Sequence, residues 1–325
     1  MPRGDILYLV IPCYNEEEVL PETSRRLREK MTALMEAGRI SPRSRVLFVD
    51  DGSKDRTWEL IGRLHREDSL FSGAKLSRNR GHQNALLGGL TAAVDRGAQV
   101  TISMDADLQD DIDAIDAFLD QYEEGCQVVY GVRSDRTTDS AFKRDTAQAF
   151  YKLMAWMGAE VVYNHADYRL MSRRAVEELL RFKEVNLFLR GMVPLVGFRS
   201  GQVTYKRGER FAGQSKYPLK KMLAFAVNGI TSFSVKPIRL VLAAGILLGV
   251  LAVLGLVIAA LLAVTGLASV SGLWWLGLSL WLLGAIQLAA LGVVGEYVGK
   301  IYLEAKARPS FILETVLDGE EEPGR

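Results

Sequence analysis

Three short runs hold the residue types that chemistry needs. Pro12-Cys13-Tyr14-Asn15-Glu16, Asp50-Asp51-Gly52-Ser53 and Asp105-Ala106-Asp107-Leu108-Gln109 each follow an apolar segment rich in β-forming residues. Taken singly, each has a plain reading. Asp-Gly-Ser after a strand makes a turn and a helix cap, with Asp55 or Ser53 as the capping side chain. A lone Asp-x-Asp arises often by chance. Together, at successive strand ends, the three runs point to one site. Neither a G-x-x-x-x-G-K-[ST] loop nor a G-x-G-x-x-G fingerprint is present to cradle phosphate on backbone amides. Asp105 and Asp107 offer another device: two carboxylates coordinate a hard divalent cation, Mg2+ or Mn2+, which bridges diphosphate oxygens. Such a cation also stabilises charge developing on a departing nucleoside diphosphate.

The elements that must position these runs follow from apolar patterning. ILYLVIP, RVLFVDD, AKLS, VTISMDAD and QVVYGVR alternate with stretches whose apolar residues recur at helical spacing, such as DRTWELIGRLHRE. Alternation of this kind predicts a mainly parallel α/β sheet with helices on both faces, in which ligands bind beyond the carboxyl ends of strands. The N-terminal apolar run ends in Pro and acids with no cleavage site of small residues, so it reads as a strand and not as a signal peptide. Cys13 and Cys126 have no metal-ligand spacing and imply a reducing compartment. A net charge of +1 argues against broad nucleic-acid binding.

Charge then disappears. Between Arg239 and Glu296 there is no Asp, Glu, Lys or Arg, and residues 240–264 and 273–295 are each long enough to cross a hydrocarbon core as helices. Lys220, Lys221, Lys236 and Arg239 precede this stretch, and Lys300, Lys306 and Arg308 follow it. The positive-inside rule places both flanks in the cytoplasm, with Trp274 and Trp275 at the far interface. The expected organisation is a cytosolic catalytic domain over 1–215, amphipathic juxtamembrane helices over 216–239, two transmembrane helices over 240–264 and 273–295, and a cytosolic tail over 296–325. The tail beyond Pro309, ending DGEEEPGR, is expected to be disordered. The segment 186–198 is too short to span and reads either as an interfacial helix or as core.

IPCYNEEE, VDDGSKDRT and MDADLQD, in that order, resemble the nucleotide-sugar-binding domain of inverting glycosyltransferase family 2, which has the GT-A fold. LSRNRGHQNALLGGL, GVRSDR, ADYRLMSR and ERFAGQSKYPLKKM, followed by two spans, are similar to the polyprenyl-phosphate glycosyltransferases: dolichyl-phosphate mannose synthases and, more closely, bacterial bactoprenol glucosyltransferases. The resemblance covers nearly the whole chain. It implies that Pro12, Tyr14, Glu16 and Asp51 line the pocket for base and ribose, with Asp51 facing the base edge, and that Asp105, Asp107 and Gln109 form the metal and diphosphate site. It implies UDP-glucose as donor ahead of UDP-N-acetylglucosamine, UDP-galactose and GDP-mannose, undecaprenyl phosphate as acceptor, and a bacterial plasma-membrane location. Assembly through the spans into a homo-oligomer, a tetramer among the options, is implied as well.

A lipid monophosphate is already an anion near neutral pH, so its oxygen needs positioning more than deprotonation. Cations should surround it. Arg133, Arg136, Lys143, Arg144, Arg169, Arg210 and Lys216 are the candidates, and Arg133 and Lys216 fall in the resembling motifs. Asp167 occupies the position where relatives carry an acid facing the acceptor. Three roles stand open for it: a base, a carboxylate that orients Arg169, Arg133 or sugar hydroxyls, and a structural cap before the helix at Ser172. His82, in RGHQNA, reads either as a group near the nucleotide or as a helix start. Two rivals remain. A processive polysaccharide synthase would carry a Gln-x-x-Arg-Trp motif, but no tryptophan here follows an Arg. A non-catalytic, membrane-tethered nucleotide-sugar-binding partner would not need Asp105, Asp107, Gln109 and Asp167 intact.

Overall fold

The structure, a computed structural model, describes residues 4–133, 165–184, 189–206, 208 and 272–318, with single positions between 241 and 265. Strands β1 (Leu7–Cys13), β2 (Arg45–Asp50), β3 (Phe71–Leu76), β4 (Val100–Ser103), β5 (Val128–Arg133), β6 (His165–Ser172), β7 (Ser200–Tyr205) and β8 (Leu313–Leu317) form one sheet in the order β7-β5-β6-β4-β1-β2-β3-β8. The central block β4-β1-β2-β3 is parallel, as the alternating pattern predicts, and β7 pairs parallel with β5. β6 and β8 run antiparallel to their neighbours, which makes the sheet mixed.

Helices α1 (Leu20–Glu36), α2 (Thr57–Glu67), α3 (His82–Asp95), α4 (Ala114–Glu123) and α5 (Arg173–Leu180) cover it. β1 is buried along its whole length, as a strand covered on both faces must be. Its Leu7, Leu9 and Ile11 share a core with Leu27 and Met31 of α1, Ile61 of α2 and Phe118 of α4. The opposite face receives α3 at close range. A Cβ on Gly89 would lie 2.5 Å from Val10 and 2.6 Å from Val49, so only glycine lets that helix approach. The short helix α6 (Leu189–Leu195) buries Leu189, Met192 and Val193 in this unit. These three side chains are core, whereas Leu195 of the same helix is 51 % exposed.

The chain after the uncharged stretch also departs from expectation. Leu313–Leu317, in a tail expected to be disordered, is β8: it extends the sheet edge at β3, and Ser77 N donates to Ile312 O at 3.0 Å. An exposed edge strand is thereby covered. Residues 308–318 belong to the same compact unit as the sheet, whereas helix α7 (Gly272–Ala305) belongs to a second unit. α7 is 34 residues long and presents Leu276, Leu280, Leu283, Leu291 and Val294 as exposed side chains. Among the described residues no helix is long and apolar enough to cross a membrane. Nearly all of the expected span 240–264, and many side chains of 273–295, including Trp274 and Trp275, lie outside the described residues.

Candidate active site at the strand ends

β2 and β4 flank β1: the chain runs from β1 through β2 to β3 on one side and then returns to β4 on the other. A crevice opens at the carboxyl ends of strands where the order reverses in this way. The three runs singled out from sequence all lie there. The loops after β1 and β2 lock together: Asn15 N donates to Ser53 Oγ at 3.0 Å, Lys54 N to Asn15 Oδ1 at 2.8 Å, and Glu16 N to Thr57 Oγ1 at 2.9 Å. Asn15 takes a φ of 55°, a left-handed conformation that Asn tolerates through such local bonds. This leaves the Tyr14 ring exposed beside the crevice, while Pro12 stays buried within β1. At the start of α2 the cap position is Arg56, whose side chain does not cap the helix and donates instead to Glu17 Oε2 at 3.3 Å. Asp55 instead accepts from Thr57 N at 3.0 Å, and Ser53 is bonded to Asp50 and Asn15.

Asp51 is buried, and both its oxygens accept backbone amides of the loop before α3: Arg80 N at 2.6 Å and Gly81 N at 2.9 Å. Burial pushes its carboxyl above the ordinary range, against the pull of those two amides. Asp51 therefore holds the β3–α3 loop across the end of β2. Gly52 makes that contact possible. Its φ is +67°, and a Cβ would lie 2.5 Å from Asn79 N.

Asp105 and Asp107 follow β4. Asp107 is 9 % exposed, and its Oδ1 accepts Gln109 N at 3.2 Å, closing a turn through Leu108. Leu108 has a φ of 58°, a conformation costly for a branched side chain and found mostly where a site demands it. The Asp105 carboxyl is pushed up by burial; His82 opposes this, Asp167 and Asp107 add to it, and Arg133 opposes it. Asp110 accepts Tyr205 Oη at 2.6 Å and Asp105 N at 3.4 Å. Burial, then the charge of Asp105, raises its carboxyl to about 6.

β6 brings in the remaining acid. Asp167 and Arg169 sit two residues apart and so share a face, and Arg169 Nη2 donates to Asp167 Oδ1 at 2.8 Å. Ser103 of β4 donates to the Asp167 carbonyl at 2.7 Å, which registers β6 against the Asp105–Gln109 run. The cap of α5 is Ser172, which accepts Ala175 N at 3.2 Å, so the capping role proposed for Asp167 is excluded. Arg169 is 2 % exposed and also donates to Leu189 O at 3.4 Å. Arg133, the last residue of β5, donates through Nε to Tyr205 Oη at 3.4 Å.

His82 was not assigned from sequence, yet it joins the two acids. Its Nε2 lies 3.7 Å from Asp105 Oδ1 and 3.8 Å from Asp167 Oδ2. It is also the first residue of α3, after Gly81 at φ +86°, so the helix-start reading holds. Asp110 ends the MDADLQD run without the strand-end spacing that marks Asp105 and Asp107, and Tyr205 lies in no motif. Arg136, Lys143, Arg144, Arg210 and Lys216 lie outside the described residues. A separate cleft of ≈ 580 Å³ between α1 and residues 108–113 meets this cluster only through Gln109 and Asp110. Of its two lysines, Lys30 is already paired with Asp113 and Asp116.

Among the described residues no three or more His, Cys, Asp and Glu side chains are grouped to hold a metal ion by themselves. The donor set still fits a hard cation: two carboxylates and the amide oxygen of Gln109, with diphosphate oxygens and water to complete the shell.

The family model described as "Glycosyl transferase family 2" matches residues 8–180, the segment that carries β1 through α5. The uncharacterised glycosyltransferase YkoT of Bacillus subtilis is 51 % identical over 319 residues, covering 97 % of this chain and 93 % of that one. The bactoprenol glucosyl transferase of Shigella phage SfV is 37 % identical over 313 residues, covering 94 % and 97 %. A prophage bactoprenol glucosyl transferase homolog of Escherichia coli is 36 % identical over 322 residues, covering 95 % and 98 %. With its acids gathered at the switch point of the matched domain, this chain belongs to glycosyl transferase family 2.

Proposed function

We propose that this chain transfers glucose from UDP-glucose, with inversion, to undecaprenyl phosphate or a related polyprenyl phosphate at the cytoplasmic face of a bacterial plasma membrane. The observation that carries this reading is the gathering of Asp105, Asp167, Arg169 and Arg133 at one sheet crevice. It is supported by full-length similarity to proteins named for glucosyl transfer to bactoprenol.

Pro12, Tyr14, Glu16 and Asp51 would face the base and ribose, and Asp105, Asp107 and Gln109 would hold Mg2+ or Mn2+ against the diphosphate. When bound, such a cation neutralises the diphosphate and makes it a better leaving group. The acceptor oxygen attacks the anomeric carbon from the side opposite the diphosphate: one C–O bond forms as the other breaks, and the nucleoside diphosphate departs. No proton need leave an anionic nucleophile, so the protein's task is orientation and charge balance. Arg133, with Arg136, Arg144, Arg210 and Lys216 from outside the described residues, would meet phosphate oxygens. Arg169, buried and bound to Asp167, would hold that carboxylate toward the sugar. A base role for Asp167 is not required by this acceptor.

Two spans, 240–264 and 273–295, would hold the catalytic domain 1–215 at the lipid surface through the stretch 216–239, with 296–325 returning to the cytoplasm. Two features support the hairpin. β8 follows the uncharged stretch yet pairs with β3, so residues before and after it share one sheet and any crossings must be even in number. The exposed Leu276, Leu280, Leu283 and Leu291 of α7 need a cover that lipid provides.

Purified full-length chain, undecaprenyl phosphate in vesicles and a panel of UDP- and GDP-sugars test the reading. Radiolabelled glucose should enter extractable lipid, stop with EDTA and resume with Mg2+ or Mn2+. Asp107→Ala should lower the rate by at least about 100-fold, the scale of losing a main charge-stabilising group. Equal transfer by wild type and Asp107→Ala would sink the proposal, and transfer from another donor alone would replace UDP-glucose within it.

A further inference from the structure

His82 opens α3 with the chain on either side of it fixed. Before it, Asp51 accepts the amides of Arg80 and Gly81 at 2.6 and 2.9 Å. After it, Gln83 Oε1 accepts Leu189 N at 2.9 Å, at the start of α6. The Leu189 carbonyl accepts in turn from Arg169 Nη1 at 3.4 Å, and Arg169 holds Asp167. The backbone of Leu189 thus bridges the segment that carries His82 and the strand that carries Asp167, so the fold sets the separation of those two side chains. A helix start by itself needs no imidazole. Gly81 supplies the turn with its φ of +86°, and the exposed His82 ring fills no core.

Nε2 of His82 stands 3.7 Å from Asp105 Oδ1 and 3.8 Å from Asp167 Oδ2, too far for a hydrogen bond to either. Among the described residues neither ring nitrogen makes one. All three side chains are part-exposed, so they line the crevice from three separate elements. In the proposed transfer, on which this inference rests, the diphosphate lies at the Asp105 run and the acceptor on the Asp167 side. The anomeric carbon must stand between the leaving and the attacking oxygen. A ring nitrogen this close to both carboxylates therefore faces the hexose itself. Hexose hydroxyls donate and accept hydrogen bonds, and the two nitrogens of an imidazole offer the matching roles. We infer that His82 is a specificity-determining residue whose ring hydrogen-bonds a hydroxyl of the transferred hexose between Asp105 and Asp167.

The test crosses His82→Ala with donors that lack one hexose hydroxyl each, a cycle in which one partner is the ligand. Full-length wild type and variant are assayed with undecaprenyl phosphate and the donor that the sugar panel selects, then with its deoxy analogues. His82→Ala should lower kcat/KM for the complete donor about tenfold, the scale of one lost hydrogen bond. One deoxy donor should show a similar loss with wild type and no further loss with the variant, and it identifies the hydroxyl. Affinity for UDP with Mn2+, read by calorimetry, should match wild type, because the nucleotide carries no hexose. Unaltered kcat/KM in His82→Ala overturns the inference, as does a further loss with every deoxy donor. A fall in UDP affinity equal to the fall in kcat/KM also overturns it, and assigns His82 to the cation and diphosphate. Where melting shows that His82→Ala has lost the fold, His82→Phe carries the same comparison, since it keeps a ring and removes both nitrogens. If wild type transfers no sugar, the proposed function has failed. The affinity for the best-bound nucleotide sugar relative to its nucleotide then decides: a drop of about tenfold in this ratio in His82→Ala supports the contact, and an unchanged ratio overturns it.

Discussion

Arg169 donates through Nη2 to Asp167 Oδ1 at 2.8 Å, and the two members of this pair are unequally exposed: 2 % for the Arg169 side chain and 18 % for that of Asp167. The asymmetry has energetic consequences, because a charge that has lost its partner costs most where water cannot replace it.

Asp167→Asn should therefore destabilise more than Arg169→Met. The first leaves a buried guanidinium without its carboxylate partner and should cost about 3 kcal/mol, toward the lower end for breaking a buried pair. The second leaves a carboxylate that still reaches water, and should cost about 1–2 kcal/mol. Both should slow sugar transfer. Denaturant unfolding of the two variants checks the order, and an Asp167→Asn protein as stable as wild type would contradict it.

Asp50 predicts a pH effect. It is fully buried, Oδ1 accepts Ser53 N at 3.1 Å, and Oδ2 has no hydrogen-bond partner among the described residues. Burial raises its pKa above the ordinary 3.8. A raised folded-state pKa means that the fold favours the protonated form. Its contribution to stability is complete below 3.8 and is lost as pH rises through the folded-state value. Asp50→Asn should thus melt at a higher temperature than wild type at pH 7, with the gap closing as pH falls toward 4. Melting curves across that range suffice, and a gap that widens on acidification would refute the account.

Gly52 is the third point of leverage. At φ +67° and with Asn79 N 2.5 Å from a would-be Cβ, Gly52→Ala must displace the loop whose amides hold Asp51. A cost of about 1–3 kcal/mol is expected for strain plus a backbone shift. UDP affinity should fall several-fold, as read by titration calorimetry. Unchanged affinity would show that the loop does not shape the nucleotide pocket.

The parallel half of the sheet was legible in the sequence because its signals are local. Apolar runs such as Leu7–Cys13 and Arg45–Asp50, separated by helical spacing, declare strand and helix without knowing their neighbours. Acids after those runs follow the general rule for ligands at strand ends. β6 and β8 escaped because antiparallel insertion leaves no mark in periodicity. β8 also lies in a short polar stretch that earns its strand only by pairing with β3.

The sequence marked Asp51, Asp105, Asp107 and Arg133 at the ends of apolar runs, and its resemblance to the family marked Asp167; Arg169 stood out only as a cation two residues on. It also determined that 240–295 carries no charge. Which side chains meet follows from how the chain folds. His82 lies beside both Asp105 and Asp167, and Tyr205 reaches Asp110 across 95 positions of sequence. Those contacts depend on the strand order β7-β5-β6-β4-β1. The physical reason is that patterning reports which face of an element is buried, but side-chain partners are set by how elements are ordered across the sheet, and many orders satisfy the same pattern.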